Sequence, residues 1–322
     1  MKKFIIKFAI FAIVVVAFDF VAGYVWGILQ HNAYEKNPLR FEVRAMYAIE
    51  QAKSEIDIIG ASDASHSYIS NMIADSLGLS TYNYGKDGCF FVYQNCLIHL
   101  MLEHHTPKVI LWEIGKECLA SAKNDDREWQ SIKDFYPYYD KSDYCKNLID
   151  SRDKFQKVYM LSGLYRYNSS LFTIIEPFLS KDKVDDASNG YLPLPNDGYN
   201  YPEFKIGVMT EGSLDIRKVA ILKGTLAKCR DKGIKVVFSF SPKFSEDNSD
   251  ATIQYEELKK IAKEYRVIII DNRSNEVFNK DATLFEDNVH LNDKGANLFM
   301  RVFIPELKRL LGDFQDVNIQ SN

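Results

Sequence analysis

Three hydrophobic patterns succeed one another along the chain. The first is continuous: residues 8–29 carry a single charge, Asp19. As an α-helix these 22 residues would reach about 33 Å, against roughly 30 Å for the hydrocarbon core of a bilayer. The second pattern is a set of short apolar runs bounded by turn residues. Ile56–Ile59 closes on Gly60, 80–84 closes on Gly85, and 108–114 follows Pro107. Lys235–Phe240 and 267–271 complete the set. The third pattern is helical spacing, at 41–53, about 64–77, 89–104, 213–231, 253–265 and 293–311. Strands that read as unbroken apolar runs and alternate with helices predict a parallel sheet covered on both faces. Right-handed crossovers then favour an α/β, flavodoxin-like, doubly wound fold with five strands. Residues 116–212 interrupt the alternation. A structureless loop of that length is improbable inside a compact domain, so a partly helical insertion or lid is expected there.

Lys2, Lys3 and Lys7 precede the apolar run. Positive residues stay on the cytoplasmic side, which predicts a single-pass anchor over residues 1–36 and a domain over 37–322 outside the cytoplasm. The alternative is a cleaved signal peptide, with Val21-Ala22-Gly23 as a weak site lacking the Ala-x-Ala pattern. Either way the inner membrane is crossed and the domain works in the periplasm or an equivalent space. The composition, 46% hydrophobic and 26% charged, is that of a globular protein. There are 40 basic against 44 acidic residues, and 37 against 43 once the first 30 residues are set aside. An acidic body without a basic cluster argues against nucleic acid as the partner.

Cys89, Cys96, Cys118, Cys145 and Cys229 form no metal-binding or disulfide-scaffold spacing and read as packing residues. Neither a metal nor a cofactor is expected. The 19 tyrosines cluster partly in the insertion, at 136, 138, 139, 165, 167, 191, 199 and 201.

In a parallel sheet, sites form at the carboxyl ends of the strands. Gly60-Ala61-Ser62-Asp63 follows the first strand, where a serine on a tight turn can project its hydroxyl beside free helix N–H groups. The plainer reading makes Ser62 or Asp63 a helix cap. The second segment is Asp287-Asn288-Val289-His290, ahead of the last helix. An aspartate three residues before a histidine can hold one imidazole nitrogen and leave the other to act as a base.

The order of these features resembles the SGNH (GDSL-like) hydrolase superfamily over about 55–120 and 213–311. The features are GxS after the first strand, a glycine turn after the second, a Pro-led third strand ending in glycine, and a terminal DxxH. The resemblance implies Ser62 as nucleophile, His290 as base and Asp287 as its orienting partner. It also implies an oxyanion hole made by the Ser62 and Gly85 N–H groups. Glu117 stands where the family has an asparagine, and Ala61 where it often has an aspartate. Asp63, His66 and Glu117 are candidate pocket residues. Three functions follow from the resemblance: a serine esterase or deacylase acting on an acylated cell-envelope glycan or lipid-linked saccharide; an O-acyltransferase working beside a multispanning acyltransferase; and an inactive glycan-binding relative. Membrane attachment and tyrosine platforms favour a saccharide as substrate.

Overall fold

The computed structural model describes residues 1–37, 41–121, 126–167, 175, 178–179, 186–195, 213–244 and 252–319. Five strands form one parallel sheet: β1 Ile56–Ile59, β2 Thr81–Asn83, β3 Val109–Glu113, β4 Lys235–Phe240 and β5 Ile268–Asp271. Their order is β2-β1-β3-β4-β5, which is the doubly wound, flavodoxin-like arrangement. Every residue of β1 and β3 is buried, as strands covered on both faces require.

Helices lie on both sides. The α2 (Phe41–Glu50), α5 (Phe91–Met101), α10 (Ile216–Asp231) and α11 (Ile253–Tyr265) helices share one core with Ile110, Trp112 and Phe238. On the other face α3 (Ser62–Ser67), α4 (Ser70–Leu77), α12 (Glu276–Asn279) and α13 (Asp293–Ile319) share a core with Ile58, Leu111 and Val237. Local signals set several boundaries. The Asp215 and Thr252 side chains accept from backbone N–H groups of α10 and α11, and α4 stops at Gly78, whose φ is +67°.

One long helix was expected over 64–77, and two are found. The break falls at Tyr68-Ile69, because the buried Asn83 amide donates to the Ala64 and Tyr68 carbonyls at 2.7 and 2.9 Å. The Tyr68 carbonyl is thereby drawn out of the i→i+4 ladder.

The insertion is built of short helices: α6 (Asp126–Gln130), a 3₁₀ segment Ser131–Tyr138, α7 (Asp143–Asp150), α8 (Gln156–Tyr159) and α9 (Gly163–Tyr167). Its tyrosines mostly pack inward. Tyr136, Tyr138 and Tyr139 are buried, with the hydroxyls of Tyr138 and Tyr139 donating to Glu50 and Asp150. A phenol suits this work because its ring fills the core while its edge reaches a carboxylate. Tyr199 and Tyr201 lie outside the described residues.

The N-terminal helix α1 (Lys2–Lys36) contains a stretch long and apolar enough to cross a membrane. It buries Gly23 within the apolar run, and continuing past it buries Gln30 and Ala33.

Candidate active site

The turn after β1 is shaped by Gly60. A Cβ there would lie 2.6 Å from Ala64 Cβ and 2.9 Å from both Glu113 Cβ and Glu113 O, so only glycine lets β1 turn this closely over β3. Ser62 then opens α3, half-buried, and Ala61 before it has no side chain to cap the helix. Among the described residues no acceptor takes up the Ser62 N–H.

Facing this turn, residues 285–291 form a closed loop. Phe285 bridges Leu291, and the Glu286 N–H donates to His290 O at 3.0 Å. The buried Asn292 fixes the loop to the start of α13 by donating to Thr283 O and accepting from the Gly295 N–H, each at 2.9 Å. Within the loop one Asp287 oxygen accepts from the Val289 and His290 N–H groups at 2.8 Å. The other lies 2.7 Å from His290 Nδ1. His290 Nε2 is in turn 2.7 Å from Ser62 Oγ. Residues separated by 228 positions thus form an unbroken Ser–His–Asp relay. Burial raises the Asp287 pKa, but the His290 side chain and the backbone donors outweigh it and bring it to about 2. Asp287 is therefore a carboxylate throughout the working range, able to hold His290 with Nδ1 protonated and Nε2 free to accept.

Asp63 is 3.9 Å from His290 Nε2 and forms an ion pair with Lys243 at 2.6 Å. Lys243 also donates to Val289 O at 3.1 Å, linking α3 to the histidine loop. His66 stands edge-on to His290, ring centres 5.8 Å apart. Its Nδ1 is 2.7 Å from Leu192 O and its Nε2 is 3.3 Å from Asp87 Oδ2. A carbonyl and a carboxylate both accept, so these surroundings favour the protonated ring. Burial opposes that charge, yet the Asp87 carboxylate and the Leu192 carbonyl raise the His66 pKa above its usual value.

Gly85 departs from its expected role. Its N–H donates to Asn83 Oδ1 at 2.9 Å, satisfying an amide that also ties α3 and α4 to the end of β2. The glycine is required for space instead, since a Cβ would fall 2.5 Å from the Ser65 nitrogen. Glu117 is half-buried on the turn after β3.

Lys243, Asp87 and the segment 186–195, which rims the site, were not among the expected site residues. Leu192 N–H donates to Ser65 O at 2.9 Å, Asp293 N–H to Leu194 O at 3.0 Å, and Tyr191 OH to Asp293 at 2.8 Å. Glu113 was also missed. This fully buried carboxyl at the end of β3 accepts from Tyr68 OH and from the Ser241 N–H and hydroxyl. The position of Lys243 just beyond β4, at the carboxyl edge, was the one available signal for it.

No protein-family model matches the chain, and no curated protein matches it. Among solved structures it is similar to protein YXIM from Bacillus subtilis, with 12% identity and a TM-score of 0.41, over 79% of this chain and 56% of that one. It is also similar to a gut microbial diltiazem-metabolizing enzyme, at 12% identity and a TM-score of 0.35, over 80% of this chain and 48% of the other. A third is the acetyl xylan esterase AlAXEase, at 14% identity and a TM-score of 0.36, over 76% and 96%. The chain spans about half the length of the first two.

Proposed function

We propose that the protein is a serine esterase or deacylase of the SGNH type, held in the cytoplasmic membrane by α1 and acting outside it on an acylated cell-envelope saccharide. The observation that carries the reaction is the pair of 2.7 Å contacts, Ser62 Oγ to His290 Nε2 and His290 Nδ1 to Asp287. Ser62 Oγ attacks the ester carbonyl while His290 Nε2 takes its proton. The imidazolium so formed is stabilised by Asp287 and returns the proton to the departing alkoxide oxygen. A water then repeats the sequence, giving its proton to His290 and releasing the acid and free Ser62. The Ser62 N–H at the start of α3 is the donor available to the tetrahedral oxyanion.

The saccharide is the part that rests on location. An esterase domain outside the cytoplasm meets acylated envelope glycans, and 186–195, packed against His66 and Asp293 beside Ser62, offers a rim to hold one. Retention of the anchor is supported by the alternative cleavage site, Val21-Ala22-Gly23, lying within α1, where Val21 is exposed, Ala22 half-buried and Gly23 buried.

Kinetics with p-nitrophenyl acetate test the reaction. Ser62→Ala and His290→Ala should each lower kcat by roughly 10⁴-fold or more, and the double variant should be little worse, because residues acting in one step are not additive. Asp287→Ala should cost less, since it orients the base without exchanging a proton. Additive losses, or full activity in Ser62→Ala, would contradict the assignment.

A further inference from the structure

From the contacts of Asp19 we infer that residues 155–167 of the insertion form a second membrane contact, seated in the outer leaflet beside α1. This rests on the reading of α1 as a membrane span. Asp19 is the one charge in the apolar run, and a carboxylate in hydrocarbon must be paired or hydrogen-bonded. It is satisfied by the insertion: Ser162 Oγ and the Gly163 N–H donate to it at 2.7 Å, and the Leu164 N–H at 3.2 Å. One turn further along α1 the backbones touch, since a Cβ on Gly23 would lie 2.7 Å from Gly163 Cα. A turn beyond that, Tyr167 OH lies against Gly27, 2.9 Å from where its Cβ would be.

Depth follows from helix geometry. About 30 Å of hydrocarbon needs some 20 residues at 1.5 Å each, so a span that begins after Lys7 ends near Gly27. Asp19 then lies about 12 Å inside the outer edge, with Ser162–Leu164 of the insertion hairpin at its level and Tyr167, against Gly27, at that edge. If Lys7 snorkels and the span begins nearer Lys3, Asp19 is still about 6 Å inside.

The surface of the hairpin agrees with that depth. Its outward residues are Phe155, Val158, Tyr159 and Leu161, exposed by 51, 60, 43 and 70%. The polar Gln156 is buried at 2% exposure. This pattern is inverted relative to a helix in water. Lys154 just before Phe155, and Lys157 among the apolar residues and 3.8 Å from Asp150, are both exposed, so their stems can lie along the acyl chains and their ammonium groups reach anionic headgroups.

The test uses the full-length protein in vesicles of phosphatidylethanolamine and phosphatidylglycerol. A spin label is placed at Leu161→Cys or at Val14→Cys, each in a Cys118→Ser background. Collision with oxygen, which concentrates in lipid, is compared with collision with a water-soluble nickel chelate. The expected result is several-fold oxygen preference at both positions, with esterase activity unchanged by the Leu161 label. A chelate preference at 161 with oxygen preference at 14 would overturn the inference and leave the anchor standing. Chelate preference at both positions would remove the anchor and the inference together.

Discussion

A methyl group on Gly85 would be driven against the Ser65 nitrogen, and a backbone atom in α3 cannot move aside as a flexible side chain can. The same short helix carries Ser62 at its first position. Gly85→Ala should therefore act twice. Pushing α3 off β2 should cost about 1–3 kcal/mol of stability, on the scale of overpacking. Turnover should fall as well, because a shift of Ser62 lengthens its 2.7 Å contact with His290. Thermal melting and ester hydrolysis on the same preparation check both. Unchanged melting with unchanged turnover would mean that the turn has more room than its geometry provides.

At the scale of elements, legibility tracks how local the determinants are. The β1 and β4 strands and the helix Ile253–Tyr265 stand where the apolar runs and spacing place them, because buried parallel strands need nothing else and Thr252 caps the helix from within its own sequence. The split between α3 and α4 was not legible. Its cause is Asn83, which reaches back 15 and 19 positions to take the Tyr68 and Ala64 carbonyls. The insertion was illegible in detail because helices as short as Gln156–Tyr159 and Gly163–Tyr167 set up no periodic pattern. Candidate site residues divide the same way. Ser62, Asp287 and His290 stand at strand ends or within one loop, so position and spacing single them out. Glu113, Lys243 and Asp87 acquire their surroundings from distant strands and turns, and Gly85 meets an amide that nothing in its neighbourhood marks as buried.

Over the whole molecule, two buried titrations should oppose one another. Burial, reinforced by the charge of Asp63, raises the Glu113 carboxyl from 4.5 to about 7. Between those values the folded protein keeps a proton that the unfolded chain has released, so this contribution is lost as pH rises. His99, stacked on Tyr144, is lowered by burial and by Lys228 from 6.5 to about 3. Between those values the unfolded chain takes up a proton that the folded protein refuses, so this contribution is lost as pH falls. Each has a limiting slope of about 1.4 kcal/mol per pH unit, and the slopes offset one another between the unfolded values of 4.5 and 6.5. Urea unfolding across that window should therefore separate the variants. With Glu113→Gln, stability should rise with pH. With His99→Gln, it should fall. Parallel curves for both variants and the unmodified protein would show that neither group titrates in this way.

The central claim is that Ser62 is a nucleophile made reactive by His290. It is met most directly by covalent labelling with a fluorophosphonate, followed by intact mass and peptide mapping. The folded protein should take up one phosphonyl group, located on Ser62, and both Ser62→Ala and His290→Ala should take up none over the same interval. A folded protein that stays unlabelled, or a label that persists in Ser62→Ala, would contradict the account.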